Sequence, residues 1–440
     1  MRGRLNLFQA TMLRWRELHP YSAVHAVYVD MPVDVARLES AIRGELEARG
    51  LTHLELDVKH GRFEYGGGDA PVALTVLPGG PEPRQVLNAE FERQLNQPFP
   101  ADGPIDPFRF FVVDAATSFE LALAYDHFVA GGDSIALLLQ AIVARYAANG
   151  SALAPQVLPD LYPPTFLRLL LRHAGAVVRG LPSLPRLALN CRHSHRPRYI
   201  RWPDATNGFT SFRLAPPEFA GVLRTAKEWN VKLNDLLIAV MLQTLSPLAE
   251  KRQTARRRVY LAAASIINIR GDARAGVRSW FGQFLSSFRV AHRVPPGIGL
   301  RELAQDIHAQ SAEWKKRRLY LQTLVVMFYS SIVWRFLGLE QRQRFHVKNW
   351  PVWVGVTMLN VDALWREGGA AGSAPDYVRG VSTGPLAPMV VAVTTAGGAL
   401  EAGISYRTGA FEAGTMARIA TEVRQCLIAL GKSPPVGTVE

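Results

Sequence analysis

The sequence predicts a two-domain protein of the mixed α/β or α+β class. Its 440 residues exceed the size at which a single hydrophobic core stops growing. Short apolar segments typical of strands occur in both halves, and segments with helical periodicity separate them. The composition is that of a globular protein, with 48% hydrophobic and 20% charged residues.

Strands and helices alternate through the first half. Residues 34–49 form the clearest predicted helix, because Asp34 can cap it and Val35, Leu38 and Ile42 recur on one face. The buried strands predicted at 108–114 and 118–125 are expected to pair as a hairpin. The predicted strands are 22–29, 54–58, 62–65, 72–77, 108–114 and 118–125, and the other predicted helices are 5–18 and 84–96.

A histidine follows the last of these strands. Residues 121–125 are apolar enough for a strand covered on both faces, and Gly131 and Gly132 predict a tight turn. A helix to about residue 148 follows, with Asp133 or Ser134 as its candidate N-cap. His127 therefore stands where a rigid element can present a functional side chain, although a polar residue without a special role also occurs at such positions.

The second half repeats the mixture of elements. Residues 157–164 predict a proline-containing loop, 165–181 a basic, leucine-rich helix, and 182–204 an aperiodic crossover. We predict an N-terminal subdomain at 1–185, a linker at 186–208 and a C-terminal subdomain at 209–440. Strands are predicted from 209 and at 259–269, 286–292, 352–360, 389–395 and 400–406, and helices at 216–229, 236–245, 300–317 and 411–430. Asn234 or Asp235 is the expected cap of the helix at 236–245.

The charge favours anionic partners. Lys and Arg number 50 against 37 Asp and Glu, a net charge of +13, which suits phosphates, an acidic carrier protein or an anionic membrane surface. Motifs of nucleic-acid binding are absent from the sequence, so we expect no nucleic-acid partner. His193 and His195 lack further ligands, so no metal site is expected. Two cysteines without metal spacing, and an N-terminus without a secretory signal, predict a cytoplasmic protein.

One uncharged apolar run has two interpretations. Leu319–Trp334 is shorter than the roughly 20 residues of a spanning helix, so we expect a helix packed inside the fold. Four basic residues at 315–318 precede it. Basic residues beside an apolar helix are also typical of peripheral contact with anionic lipid.

Several short motifs follow one another in a characteristic order. They are Asp126-His127-Phe-Val-Ala-Gly131-Gly132, Leu233-Asn-Asp-Leu, Asn268-Ile-Arg270, Phe281-Gly-Gln-Phe284, Thr357-Met-Leu-Asn360 and Ile404-Ser-Tyr-Arg407. By these motifs the chain resembles the CoA-dependent acyltransferase superfamily with the chloramphenicol-acetyltransferase-like fold. That superfamily includes condensation domains of peptide synthetases, polyketide-associated acyltransferases and wax ester synthases, and the resemblance covers residues 5 to 430.

The resemblance implies an architecture and an activity. It implies two similar subdomains in a V with a channel between them, and His127 as the general base of acyl transfer from a thioester to a hydroxyl or amine. The donor would be an acyl-CoA or an acyl-carrier protein, so coenzyme A or phosphopantetheine enters as part of a substrate and no cofactor is bound permanently. The acceptor would be a small molecule or a lipid, and the reaction would belong to secondary metabolism or lipid biosynthesis. We expect the protein to be a monomer.

The sequence departs from the family motif His-His-x-x-x-Asp-Gly at two positions. Asp126 replaces the first histidine, and Gly131 replaces an aspartate that, in the family, pairs with an arginine matched here by Arg270. Asp133 could take over that pairing, or could instead cap the helix. Asp126 should point away from His127, since neighbouring strand residues face opposite sides.

The resemblance also implies the supporting groups. Gly132 and Ser134 complete the turn, and the oxyanion donor would be a backbone N–H of that turn or a group near Asn360. Val361 and Asp362 follow Asn360 where the family often has a glycine.

Three functions remain open at this stage. The first is a working acyltransferase with a modified turn. The second is a catalytically weakened relative that binds an acyl carrier or a partner enzyme. The third is other chemistry, such as hydrolysis or dehydration, on a thioester-bound substrate.

Overall fold

The chain folds into two compact units, each assembled from segments distant in sequence. The computed structural model describes residues 2–69, 72–148, 166–252, 256–272, 281–367 and 373–432. Unit 1 comprises Met1–Leu171, Asn268–Leu285 and Leu359–Gly384, and unit 2 comprises Arg172–Ile267, Ser286–Met358 and Pro385–Glu440. Two segments of the second half, Asn268–Leu285 and Leu359–Gly384, thus belong to unit 1. The predicted division, with a linker at 186–208, instead cuts the chain once. The loop predicted at 157–164 lies outside the described residues.

The elements of the first half agree closely with the periodicity of the sequence as far as α4 (Gly132–Ala147). In chain order they are β1 Arg2–Arg4, α1 Leu7–Arg16, β2 Ser22–Val29, α2 Val35–Ala48, β3 Leu54–Asp57, β4 Arg62–Tyr65, β5 Leu74–Pro78, α3 Pro83–Asn96, β6 Gly103–Ile105, β7 Phe108–Asp114, β8 Phe119–Asp126, α4 Gly132–Ala147, α5 Leu167–Arg172, α6 Ala174–Gly180 and α7 Ser183–Arg192.

The second half continues the alternation. Its elements are β9 Asn207–Leu214, α8 Pro216–Glu228, α9 Leu233–Leu245, β10 Leu261–Asn268, β11 Leu285–His292, α10 Leu300–Lys316, α11 Gln322–Trp334, α12 Leu339–Asn349, β12 Val354–Asn360, α13 Val361–Glu367, β13 Tyr377–Val381, β14 Met389–Ala396, β15 Ala399–Arg407 and α14 Ala413–Lys432.

Strand β8 lies in the middle of the main sheet of unit 1. The strand order is β13-β2-β8-β7-β5, and a second sheet has the order β1-β4-β3-β6. Strands β7 and β8 form the predicted antiparallel hairpin, and Ser22 of β2 lies opposite Asp126 at the end of β8. Residues 121–126 are all buried. The residue after β8 is therefore held by paired strands on both sides.

Helix α4 continues from the end of β8 and closes one side of the sheet. It packs on α2 and α13 and buries Ile135, Leu138, Leu139 and Ile142. Burial of such a side chain stabilises the fold by about 1.5–3 kcal/mol, so the start of α4 is fixed by its apolar face. Asp34 caps α2 as predicted, since its carboxylate accepts from the Arg37 amide at 3.0 Å.

Unit 2 is built on the third sheet. Its strands have the order β11-β10-β12-β14-β15-β9, with β10 and β12 parallel and β14, β15 and β9 antiparallel. Helices α8, α9, α10 and α14 pack on one another. These elements confirm the predicted mixed class.

Several sequence predictions are wrong in detail. The leucine-rich segment is two helices broken at His173, whose backbone is not helical and whose ring accepts from the Arg318 guanidinium at 3.1 Å. The supposedly aperiodic crossover contains α7, and Ser194 after it is buried. Helix α9 begins at Leu233 with Lys232 as N-cap, so Asp235 instead lies in the first turn, where its carboxylate contacts His308 Nδ1 at 2.7 Å.

The apolar run is packed inside the fold only at its start and at Trp334. Its short 3₁₀ turn buries Leu319, Tyr320 and Leu321, and α11 buries Gln322, Leu324 and Trp334 but exposes much of its remaining surface. Among the described residues no single helix has both the length and the apolar character to cross a membrane, while α8 and residues 233–249, bent by 98°, pass that test as a pair.

Candidate active site

His127 is the first residue beyond β8, and its position is fixed by backbone and rings. Its side chain is buried, with 7% exposed. The His127 amide donates to the Tyr21 carbonyl at 3.1 Å. The rings of Tyr21 and Tyr125 lie 5.4 and 5.7 Å from the imidazole, centroid to centroid. An imidazole held in this way has little freedom to rotate, so its two nitrogens have defined neighbours.

Gln283, which the sequence analysis did not select, determines the tautomer of His127. Its amide Nε2 donates to the carbonyls of His127 and, at 2.6 Å, of Ala130. An amide nitrogen has two hydrogens, so neither remains for His127 Nδ1, which lies 3.2 Å away. Nδ1 must therefore carry its own hydrogen and donate to the Ala130 carbonyl at 3.3 Å. Nε2 is left with the lone pair, as a general base requires.

Burial keeps this imidazole neutral. Desolvation lowers the pKa of His127 to about 4, the hydrogen bond to Ala130 opposes that shift, and the positive charge of Arg379 adds to it. A histidine with this pKa is unprotonated at neutral pH. The residue is thus ready to accept a proton.

Asp133 and Arg270 form a buried ion pair beside the turn. The Arg270 Nε donates to the Asp133 carboxylate, and both side chains are 8% exposed. Asn268 Nδ2 donates to the same carboxylate at 2.9 Å, and the Asn268 side chain in turn accepts from the Arg270 amide at 2.9 Å. Asp133 therefore pairs with Arg270, which is one of the two roles predicted for it.

Gly131 leaves the space that this carboxylate occupies. Its φ of −86° is ordinary for any residue, so conformational freedom does not explain the glycine. A Cβ there would lie 3.0 Å from Asp133 Oδ1 and 3.5 Å from the Gly282 carbonyl. Asp133 thus lies in the first turn of α4, two residues after the N-cap Gly131, where a negative charge is also favourable to the helix dipole.

The predicted N-cap role of Asp133 or Ser134 is wrong, because Gly131 is the N-cap and no side chain caps the helix. Ser134 instead joins the ion pair to the following segment. Its hydroxyl accepts from Arg270 Nη2 at 2.7 Å and from the Gly282 amide at 3.2 Å. The Gly131 amide donates to the Gly282 carbonyl at 3.0 Å. Asn268, Arg270 and Gly282 are thereby tied to the start of α4.

A second buried polar group lies under the glycine turn. His25 Nδ1 contacts the Tyr377 hydroxyl at 2.7 Å, and the buried Arg379 stands on the same strand, β13. A Cβ on Gly132 would lie 3.1 Å from an Arg379 nitrogen and 3.3 Å from the His25 ring. Gly132 therefore allows the helix to approach this group closely. Burial lowers the pKa of Arg379 to about 10, which leaves it charged at neutral pH.

Asp126 is directed away from His127, as predicted. Its carboxylate pairs with Arg16 of α1, and both side chains are buried. Desolvation raises the pKa of Asp126 to about 6 against the pull of Arg16. The residue is a structural anchor between α1 and β8.

One predicted oxyanion donor is engaged elsewhere, and another lies at an exposed position. The Gly131 amide is used by Gly282, as described above. Asn360 is exposed, and its side chain accepts from the Ala363 amide at 2.9 Å at the start of α13. The hydrogen bonds found among the described residues do not join Asn360 to the group around His127. Those residues also contain no cluster of His, Cys, Asp and Glu suited to a metal ion.

Comparisons with known proteins identify the fold. No protein-family model matches the sequence, and no curated protein matches it either. Solved structures match along almost the whole chain. The first condensation domain of the calcium-dependent antibiotic synthetase, in complex with a substrate analogue, has a TM-score of 0.69 at 15% identity, covering 99% of this chain and 98% of that one.

Two further structures extend the comparison. The EpoB cyclization-docking bidomain from Sorangium cellulosum gives a TM-score of 0.69 at 13% identity, with coverage of 99% and 86%. The X-domain in complex with OxyB from teicoplanin biosynthesis gives 0.57 at 17% identity, with coverage of 99% and 94%. The chain therefore has the same fold as these domains, in agreement with the fold that its motifs predicted. The V arrangement and its channel stay predictions.

Proposed function

We propose that this protein is an acyltransferase that moves an acyl group from a thioester donor to a hydroxyl or amine acceptor, with His127 as general base. The observation that supports this most strongly is the state of His127. Its Nδ1–H is used by the Ala130 carbonyl, and burial lowers its pKa. The free lone pair on Nε2 can therefore take the proton of an acceptor.

The reaction follows from that lone pair. The acceptor oxygen or nitrogen attacks the thioester carbonyl carbon while Nε2 removes its proton, which gives a tetrahedral oxyanion and an imidazolium. Collapse of the oxyanion breaks the carbon–sulfur bond, and the imidazolium returns the proton to the leaving thiolate. The positive end of α4, which begins five residues after His127, is our candidate for stabilising the oxyanion.

The ion pair of Asp133 and Arg270 has a supporting role in this proposal. Arg270 also donates to the Ser134 hydroxyl, which accepts from the Gly282 amide next to Gln283. Since Gln283 holds the carbonyls of His127 and Ala130, the pair acts on the base through the backbone. Asp133 and Arg270 are therefore positioning residues in an active enzyme.

The donor is proposed to be an acyl-CoA or an acyl-carrier protein. Structural relatives include a condensation domain in complex with a substrate analogue. The net charge of +13 would attract both the phosphates of coenzyme A and an acidic carrier. Coenzyme A or phosphopantetheine would enter with the substrate, and the acceptor would be a small molecule or a lipid.

The test incubates the purified protein with acyl-CoA and acyl-carrier donors and a panel of alcohols and amines. Transfer is detected by mass spectrometry of the intact donors and acceptors. We expect an acylated acceptor with wild type and none above background with His127→Ala. Transfer by the variant at the wild-type level would overturn the assignment of the base.

A second candidate function is binding without catalysis. One structure with the same fold is an X-domain recorded in complex with OxyB, so a domain of this shape can serve as a partner for another protein. Tight binding of a carrier or partner enzyme, without transfer from any thioester, would favour this function over the first.

A further inference from the structure

Helix α11 exposes a continuous apolar face. Phe328, Tyr329, Ile332 and Val333 are 54%, 62%, 41% and 47% exposed, and their spacing of three and four residues places them on one side of a helix. Phe336, just beyond the helix, is 84% exposed. Folded proteins rarely leave large contiguous apolar patches in water unless these bind something.

A basic pocket lies at the other end of this helix. It has a volume of about 500 Å³ and is formed by α6 together with the end of α10. Its lining contains the cationic residues Arg172, Arg179, Lys316, Arg317 and Arg318. Gln322, the first residue of α11, donates to the Val177 carbonyl of α6 at 2.7 Å. The pocket and the apolar face are therefore joined through directly contacting elements of unit 2.

The pocket keeps an excess of positive charge. The exposed Glu313 pairs with Arg317 at 3.0 Å, and His173 accepts from Arg318. The residues that line the pocket include no carboxylate. Closely spaced cations of this kind favour a phosphate group.

We infer that the apolar face of α11 and the basic pocket form a binding surface for an anionic phospholipid membrane. The pocket receives a headgroup phosphate, and Phe328, Ile332 and Phe336 enter the boundary of the acyl chains. Helix α11 has 13 residues, about 20 Å in length, so it lies in the interface and does not span the bilayer.

The chemistry of the face favours lipid over a protein partner. Helix α11 contains no charged residue, and basic residues stand at both of its ends, at 315–318 and at Arg335. The most exposed side chains of the face offer one hydrogen-bonding group, the Tyr329 hydroxyl. A membrane requires no directional contacts from such a face and attracts its basic flanks.

The test is flotation of the full chain with vesicles. Vesicles of phosphatidylcholine with phosphatidylglycerol should bind it, and vesicles of phosphatidylcholine alone should not. The pairs Phe328→Ser with Ile332→Ser, and Arg179→Glu with Lys316→Glu, should each lower partitioning about tenfold. The matched controls Leu223→Ser and Lys227→Glu lie on the surface of α8 and should leave it unchanged.

Three outcomes would overturn the inference. They are absence of binding to the anionic vesicles, an equal loss in the α8 controls, or binding that inorganic phosphate abolishes completely while the apolar pair has no effect. The last result would mean that the pocket takes free phosphate and the helix face does not meet lipid. None of these outcomes depends on acyl transfer, so the test is separate from that of the proposed function.

Discussion

Asp133→Ala should destabilise unit 1 more than any surface charge substitution. The change removes the carboxylate that accepts from Arg270 Nε and from Asn268 Nδ2. Arg270, whose side chain is 8% exposed, then loses the negative charge that Asp133 provides. Breaking a buried pair by removing one partner costs about 3–5 kcal/mol.

The measurement is urea unfolding, with hydrogen exchange of the peptide that contains α4 as the local probe. We expect the free energy of unfolding of this region to fall by about 3 kcal/mol or more. Glu64→Ala is the control, because its partner Arg2 is 82% exposed and surface pairs contribute about 0–1 kcal/mol. A loss below about 1 kcal/mol for Asp133→Ala would refute the reasoning.

Placing an aspartate at position 131 should rescue that variant. Gly131→Asp alone places a Cβ 3.0 Å from Asp133 Oδ1 and two carboxylates side by side, so it should be destabilising. In the Asp133→Ala background the space is empty, the backbone at 131 suits aspartate, and aspartate is a favourable N-cap. A double variant that is more stable than Asp133→Ala alone would confirm that a carboxylate at position 131 can replace the one at position 133. A double variant that loses the sum of the two single losses in unfolding free energy would contradict it.

Three further predictions concern the surroundings of the base. Protonation removes the lone pair of His127, whose pKa is lowered to about 4. In the pH–rate profile, kcat/KM should therefore decrease as the pH falls through about 4. A decrease centred near pH 6.5 would contradict the burial argument. Gln283→Ala removes the donor to two buried carbonyls and should lower kcat about tenfold or more with little change in KM; an unchanged kcat would exclude its positioning role. Asp126→Asn should reduce the melting temperature, since it weakens the pair with Arg16, yet leave the transfer rate within about threefold because the side chain faces away from His127; a complete loss of transfer by a folded variant would contradict this.

Much of the fold could be predicted from local patterns. Strand β2 and helix α2 match the predicted ranges, because a short apolar run and a capping aspartate are local signals. Helix α7 was missed, since Pro185 and a mostly exposed surface hide its periodicity. Strand β13 was also missed. It is buried throughout and pairs with β2 across about 350 residues of chain, a contact that local patterns do not encode.

The candidate site could be predicted only in part. His127 was found because its motif is local in sequence. The role of Asp133 stayed open, since pairing with Arg270 depends on how a segment 137 residues away folds back. Gln283 lies within the motif Phe281–Phe284, but that motif gave no sign of its role, because the role consists of hydrogen bonds to the backbone of His127 and Ala130. In the sequence, a glutamine that donates to backbone carbonyls cannot be distinguished from one that faces solvent.

The central claim is that the neutral imidazole of His127 is the base of acyl transfer. Its most direct test is the single-turnover rate of transfer from one thioester donor to one acceptor, compared between wild type and His127→Ala with the fold checked by circular dichroism. We predict that the variant is slower by about 10²–10⁴-fold, as expected for loss of a general base. Equal rates for the two proteins would contradict the account.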